Sequence, residues 1–186
     1  MKPDITDKAN EKQSQLIVLV GLMGVGKSTI GRRLAIALGL AFVDADDEIE
    51  RSAGRSISDI FDDFGEKAFR DGEKKVILRL LDGSPLVLAT GGGAFLNPDI
   101  RAAIAAKGVS VWLRSSLQEL VRRTGLRNTR PLLANGDSKE ILAELIKQRH
   151  PIYAKADLVV DSDQGQHSET VTAIMQALRN YKEQNQ

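Results

Sequence analysis

The stretch Gly21-Leu-Met-Gly24-Val-Gly26-Lys27-Ser28 constrains this chain more than any other. It fits the pattern GxxxxGK[ST] and stands between an apolar run, Leu16 to Val20, and a helical segment starting at Lys27. That order of strand, glycine loop and helix gives the pattern its meaning. Glycines here let consecutive backbone N–H groups turn inward around phosphate oxygens. The helix N-terminus adds partial positive charge. Gly24, Val25, Gly26, Lys27, Ser28 and Thr29 are therefore the expected cradle of a nucleoside triphosphate, taken as ATP. Lys27 would reach the β- and γ-phosphates, and Ser28 would offer its hydroxyl to Mg²⁺. The pattern does not say what the phosphate is used for, because such loops serve kinases, switches and motors alike.

A strand feeding this loop needs a sheet around it. Four more apolar, β-branched-rich runs supply one: Leu40 to Val43, Leu86 to Ala89, Val109 to Leu113 and Leu158 to Val160. Continuous apolar runs suit strands buried on both faces, hence a parallel sheet. Helices are expected between them. Lys27 to Leu38 stops at Gly39. Glu66 to Leu81 carries Phe69, Val76, Ile77, Leu80 and Leu81 as its apolar positions. Asn97-Pro98 opens Asp99 to Lys107, and Gly108 closes it. Ser115 to Gln118 and Asp137 to Glu140 read as capping-box starts, and a last helix runs from about Ser168 to Tyr181. The order βαβααβαβααβα argues for a doubly wound α/β domain with helices on both faces. Residues 16–186 are expected to form that one domain, behind a flexible tail of residues 1–15. Thr124 to Asn135, TGLRNTRPLLAN, escapes the pattern and reads as a mobile lid carrying Arg127 and Arg130.

The third run, in PLVLATGGGAFL, ends in three glycines and no acid. Magnesium beside a triphosphate usually takes at least one carboxylate. The second run supplies it, in Phe42-Val43-Asp44-Ala45-Asp46-Asp47. The carboxyl ends of strands are where open α/β sheets bind ligands. Asp44 and Asp46 alternate with Ala45, so an extended chain points them the same way. One would then face the metal shell and the other a substrate hydroxyl. The competing reading has Asp46 or Asp47 capping the next helix.

Three arginines complete the pattern. Arg70, in Phe69-Arg70-Asp71-Gly72-Glu73, and Arg149, before His150-Pro151, are forks suited to a carboxylate. The plainer fate of either is a surface ion pair. Arg130 would close over the γ-phosphate. Gly91, Gly92 and Gly93 leave a strand tip where a small ring lies against backbone N–H groups. A small kinase for a hydroxylated acid is the function these residues describe.

Composition excludes other classes. A net charge of +1 gives no field to hold nucleic acid or an anionic membrane. With no cysteine there is neither a disulfide framework nor a thiolate metal site, and a reducing cytoplasm fits. His150 and His167 lack metal-ligand spacing and read as surface or helix-end residues. The longest apolar run, Leu16 to Val25, is broken by Gly21 and too short to span a bilayer. Residues 1–15 lack the apolar stretch of a signal peptide. A monomer is the expectation for a domain of this size.

The pieces GLMGVGKSTIGRRLA, FVDADDEIE, GRSISDIF, GEKAFRDGE, LATGGGAF, VRRTG, RNTRPLL and KQRHPIY occur in that order between about Leu16 and Arg179. On them the chain closely resembles the shikimate kinase family. The resemblance implies a nucleoside-monophosphate-kinase-like three-layer fold, with a five-stranded parallel sheet in the order 2-3-1-4-5 and a mobile lid at about 124–135. It implies transfer of the ATP γ-phosphoryl group to the 3-hydroxyl of shikimate, giving shikimate 3-phosphate and ADP in chorismate and aromatic amino acid biosynthesis. Asp46 would be the base, acting with Lys27 and Arg130. Arg70 and Arg149 would hold the shikimate carboxylate, with Gly92 touching the substrate through its backbone between Gly91 and Gly93. Ser28 and Asp44 would serve Mg²⁺, Arg130 the ATP phosphates, and Arg123 of VRRTG would lie against the adenine. The loop Asp161 to Gln166 lacks the expected proline and basic residues, so no adenine contact is assigned to it. The tail has no counterpart in the resemblance.

Three rival functions share part of this pattern. A gluconate kinase shares the acceptor chemistry, but the Arg70 segment with TGGG favours shikimate. A nucleoside monophosphate kinase would continue the third strand with aspartate and arginine. A non-catalytic nucleotide-binding protein would lack some of Lys27, Asp46, Arg70, Arg130 and Arg149, and all are present.

Overall fold

In the computed structural model, which describes residues 16–125, 137–163 and 167–184, the apolar runs form one parallel sheet. Its strands are β1 (Leu16–Val20), β2 (Ala41–Asp44), β3 (Leu86–Ala89), β4 (Gly108–Arg114) and β5 (Leu158–Asp161), in the spatial order β2-β3-β1-β4-β5. This is the order the resemblance implies, within a P-loop, nucleoside-monophosphate-kinase-like fold. Ile17 pairs with Val87 on one side and Val109 on the other. All five residues of β1 and all four of β3 are buried, as continuous apolar runs require.

The helices are α1 (Lys27–Leu38), α2 (Ala45–Ala53), α3 (Ile57–Leu81), α4 (Pro98–Lys107), α5 (Leu117–Gly125), α6 (Ser138–Tyr153) and α7 (His167–Gln184). Helix α1 packs on α7, α3 on α4, and α5 on α6. Ile30, Leu34, Ile77, Ile100 and Ile104 press onto the sheet with no more than 1% exposure. Each such side chain adds roughly 1.5–3 kcal/mol relative to leaving it in water. The sheet centre is thus the firmest part of the molecule. Thr90, just past β3, donates both its amide (3.2 Å) and its hydroxyl (3.0 Å) to the Leu19 carbonyl. This stitches the end of β3 to β1.

Most boundaries follow from local chemistry. Gly39 ends α1 in the left-handed conformation. Asn97 caps α4 by accepting from Asp99 N–H at 2.9 Å. Three expectations need correction. Helix α3 begins at Ile57, nine residues before the expected start at Glu66, and Gly65 interrupts it with φ 79° and ψ 172°. Ser56 and Asp59 make the capping box that starts it. The non-helical glycine hides the periodicity of its first turns. Helix α5 is capped by Ser116, whose hydroxyl accepts from Glu119 N–H at 3.3 Å, and not by a Ser115–Gln118 box. Ser115 instead donates its hydroxyl to Asp163. Finally, α2 follows β2 without a break, so Ala45 and Asp46 are already helical and Asp44 is the cap.

Helices α2 and α3 enclose a second apolar cluster of Ile49, Ile60, Phe69 and Val76, separate from the main core. That small core carries the wall of the cleft described next. The expected tail, residues 1–15, and most of the expected lid, including Arg127 and Arg130, lie outside the described residues.

Candidate active site

The strand tips at the carboxyl edge of the sheet open into a cleft of about 970 Å³. Gly24, Gly26, Lys27, Ser28, Thr29, Asp44, Asp46, Arg70, Gly91, Gly92, Gly93, Arg123 and Arg149 all line it. Val25 keeps its side chain buried in the core, and its carbonyl accepts from Arg123 at 3.1 Å and from the Ser162 hydroxyl at 3.3 Å.

On one side the glycine loop runs from β1 to α1. Gly24 (φ 82°) and Gly26 (φ 98°) adopt the left-handed backbone that other residues resist. Gly26 is the N-cap of α1, so the helix amides open onto the cleft. Lys27 is only 9% exposed, and its ammonium donates to the carbonyls of Gly21 (2.8 Å) and Leu22 (2.9 Å). The loop itself therefore positions the charge. Ser28 donates its hydroxyl to Asp44 Oδ2 at 2.5 Å. Two oxygens of this kind at the mouth of a phosphate loop suit a hard cation that takes its other ligands from phosphate and water. Among the described residues there is no cluster of three or more acids or histidines that would hold a metal unaided.

Asp44 also accepts the Asp46 amide through Oδ1 at 3.1 Å, which caps α2. The two aspartates are thus brought together by a helix cap. Strand alternation, the expected cause, does not operate, because Asp46 sits in the first turn of α2.

The opposite wall is built around the three glycines, and each leaves space that a neighbouring side chain enters. None of the three has positive φ, so their purpose is room and not backbone freedom. A Cβ on Gly91 would stand 2.9 Å from Asp46 Oδ1 and 3.0 Å from Glu73 Oε1. On Gly92 it would stand 3.4 Å from Arg149 Nη1. On Gly93 it would fall 2.5 Å from Arg70 Nη1 and 2.7 Å from its Cζ. Among the described residues, the backbone bonds of this turn start from Thr90 and Ala94, and the amides of Gly91, Gly92 and Gly93 make none. An acid and two guanidinium groups therefore converge on a strip of unused amides.

Glu73 belongs to this site, although sequence reasoning did not single it out. It is 2% exposed and accepts from Arg70 Nη1 at 2.8 Å. Its other oxygen, Oε1, has no partner among the described residues. Burial raises its pKa above the ordinary 4.5, and the pull of Arg70 and Arg149 only partly offsets this. A signal was present in the sequence: Glu73 falls on the apolar stripe of α3, between Phe69 and Val76. A raised folded pKa means that the native state holds the proton longer than the unfolded chain. Stability is then full below the unfolded value and falls as pH rises through the folded one. Glu73→Gln removes this titration. Thermal melts should show the variant gaining on the wild type from mildly acidic to neutral pH, while acid-substrate binding weakens as Arg70 loses its anchor. A melting difference that does not change with pH would contradict this account.

Arg123 reaches across the nucleotide side. It donates to Val25 O, to Ser162 O (2.6 Å) and to Glu119 Oε1 (2.6 Å), tying α5 to the glycine loop and to the end of β5. His167, at the start of α7, also lines the cleft. Burial, then Arg33 and Arg123, hold its imidazole below the usual pKa, so it stands neutral beside the loop. His150 packs edge-on against Trp112, with ring centroids 4.9 Å apart.

The chain is similar to known proteins over most of its length. A family profile described as "SKI: Shikimate kinase" matches residues 23–179. The chain is 58% identical over 165 residues to a shikimate kinase of Paramagnetospirillum magneticum, covering 89% of this chain and 85% of that protein. It is 53% identical over 175 residues to one of Caulobacter vibrioides, covering 94% and 88%. Among solved structures, a shikimate kinase from Acinetobacter baumannii in complex with shikimate superposes with a TM-score of 0.88 at 38% identity, covering 94% of this chain and 98% of that one.

Proposed function

The chain belongs to the shikimate kinase family, and from that premise we infer how its residues divide the work. It is an ATP-dependent kinase that phosphorylates shikimate. The glycine-loop amides and Lys27 hold the β- and γ-phosphates, with the α1 N-terminus adding its dipole. Asp46 orients the 3-hydroxyl beside Gly91 and takes its proton as the oxygen attacks the γ-phosphorus. Arg70 and Arg149 hold the carboxylate, and the amides of the triple glycine donate to the substrate's ring oxygens. Glu73 keeps Arg70 in place. Arg123 lies against the adenine, and Arg130, outside the described residues, closes on the phosphates. Ser28 and Asp44 would hold Mg²⁺, which when bound neutralises charge on the phosphate oxygens.

The observation that supports this reading best is the convergence of two opposite chemistries in one cleft. A phosphate loop faces a carboxylate and two arginines set against backbone amides. We further propose a cytoplasmic monomer with small-molecule partners only. The near-zero net charge and the absence of cysteine support it, as does the lack, among the described residues, of any helix long and apolar enough to cross a membrane. Residues 16–186 acting as one kinase domain, with a lid at 124–135, belong to the same proposal.

ADP release should be measured with shikimate, gluconate and nucleoside monophosphates side by side. Turnover should be confined to shikimate, and preference for gluconate would favour the rival acceptor. Arg149→Lys should raise the shikimate KM about tenfold with little change for ATP, because a point charge replaces a fork. Equal losses for the two ligands would argue against the carboxylate role.

A further inference from the structure

Tyr153 closes α6 one turn after Arg149, in the segment Arg149-His150-Pro151-Ile152-Tyr153. It is fully buried, yet it is a tyrosine and not a phenylalanine. Its ring packs near those of Phe95, Trp112 and His150. A buried phenol needs a partner for its hydroxyl. That partner is the carbonyl of Gly92, at the centre of the triple glycine. The same carbonyl accepts from Arg149 Nη1 at 3.2 Å. Burial pushes the phenol up to about 12, so the hydroxyl keeps its proton at neutral pH and can donate it.

A trans peptide turns its carbonyl and the following amide in opposite directions. Drawing the Gly92 oxygen toward α6 therefore turns the Gly93 N–H away from α6. Gly91 accepts from the Ala94 amide at 3.2 Å, closing a turn whose central peptide is Gly92–Gly93. That bond tolerates either orientation of the central peptide when glycines occupy it, so the two donors on the Gly92 carbonyl select one. Arg149 gains as well. One N–H is committed to Gly92 and the guanidinium also lies beside the Tyr153 hydroxyl, so the two side chains and the carbonyl hold one another in one arrangement.

We propose that Tyr153 is a positioning residue for the acid substrate: its hydroxyl bond to the Gly92 carbonyl aims the Gly93 amide into the cleft and keeps Arg149 oriented beside it. This rests on the acceptor site proposed above. The residue need not touch the substrate. It acts through a backbone carbonyl that two side chains share.

The test is Tyr153→Phe in the full chain, which keeps the ring and its packing and removes one oxygen. The shikimate KM should rise roughly three- to tenfold, as expected for one lost hydrogen bond with the carbonyl still held by Arg149. The KM for ATP and kcat should change less than about twofold, since neither the glycine loop nor Asp46 is touched. An unchanged shikimate KM would overturn the inference. So would parallel rises in both KM values with a lower melting temperature, which would make Tyr153 a packing residue only. Tyr153→Met, unbranched and without a donor, repeats the comparison should the phenylalanine variant not fold. Failure of the acceptor-site reading would look different. In that case Arg149→Lys would bind shikimate normally, whereas impaired Arg149→Lys with normal Tyr153→Phe would sink this inference alone.

Discussion

Asp46→Asn is expected to lower kcat about a thousandfold while leaving ATP binding intact, which sits within the 10²–10⁴ range for a positioned acid or base. Phosphoryl transfer has a loose transition state, so taking a proton is only part of what Asp46 does. Its Oδ1 lies against the space over Gly91 and would also aim the attacking hydroxyl. Asparagine keeps the shape and cannot accept the proton. The α2 cap survives, because it uses the Asp46 amide and the Asp44 side chain. ADP release with shikimate and calorimetric titration with ATP give the two readouts. Turnover within tenfold of wild type would remove Asp46 from the role of base.

Gly93→Ala is expected to raise the shikimate KM about a hundredfold, with a smaller loss of stability from the disturbed Arg70–Glu73 pair. Gly93 has φ −96°, which any residue adopts, so the backbone should not object. The new methyl would fall 2.5 Å from Arg70 Nη1 and 2.6 Å from Nη2. The guanidinium is the far end of a flexible side chain, so it gives way, but in doing so it strains its 2.8 Å bond to the buried Glu73. Once moved, it no longer meets the carboxylate, and charged hydrogen bonds contribute roughly 1.5–3 kcal/mol each. Gly92→Ala is the milder control, since its methyl meets Arg149 Nη1 only at 3.4 Å. Steady-state kinetics and a thermal melt decide the matter. A wild-type KM in Gly93→Ala would mean that Arg70 does not hold the acid.

Much of this was legible in the residues alone. The glycine loop and the buried strands declare themselves because a phosphate loop and a two-sided sheet each impose a local pattern. Asp46 was recognisable from its place just after an apolar run, at the sheet edge where ligands bind. Arg70 and Arg149 stood between a carboxylate fork and a surface ion pair until the family resemblance favoured the first. What could not be read depends on distances across the fold. Glu73 betrays its burial by falling on the apolar stripe of α3, but its bond to Arg70 and its place beside Gly91 show only in the fold. Tyr153 looks like a core residue until Gly92 is found beneath its hydroxyl. The cap that joins Asp44 to Asp46 was missed because a strand running straight into a helix leaves no loop to mark the change. The glycines were read as room for a substrate, and they are first room for Asp46, Glu73, Arg149 and Arg70.

The sheet order carries a last consequence. The strand that delivers the phosphate loop and the strand that ends in the triple glycine are hydrogen-bonded neighbours, and Thr90 rivets their ends together through Leu19. Neighbouring strands lie about 4.8 Å apart. The separation between the group that gives and the group that receives is therefore gauged by main-chain hydrogen bonds. Side chains around the cleft can drift over generations, altering which acid is held or how tightly, without resetting that gauge. A change deep in the sheet that splays β1 from β3 would reset it, slowing the reaction from a position that touches neither substrate.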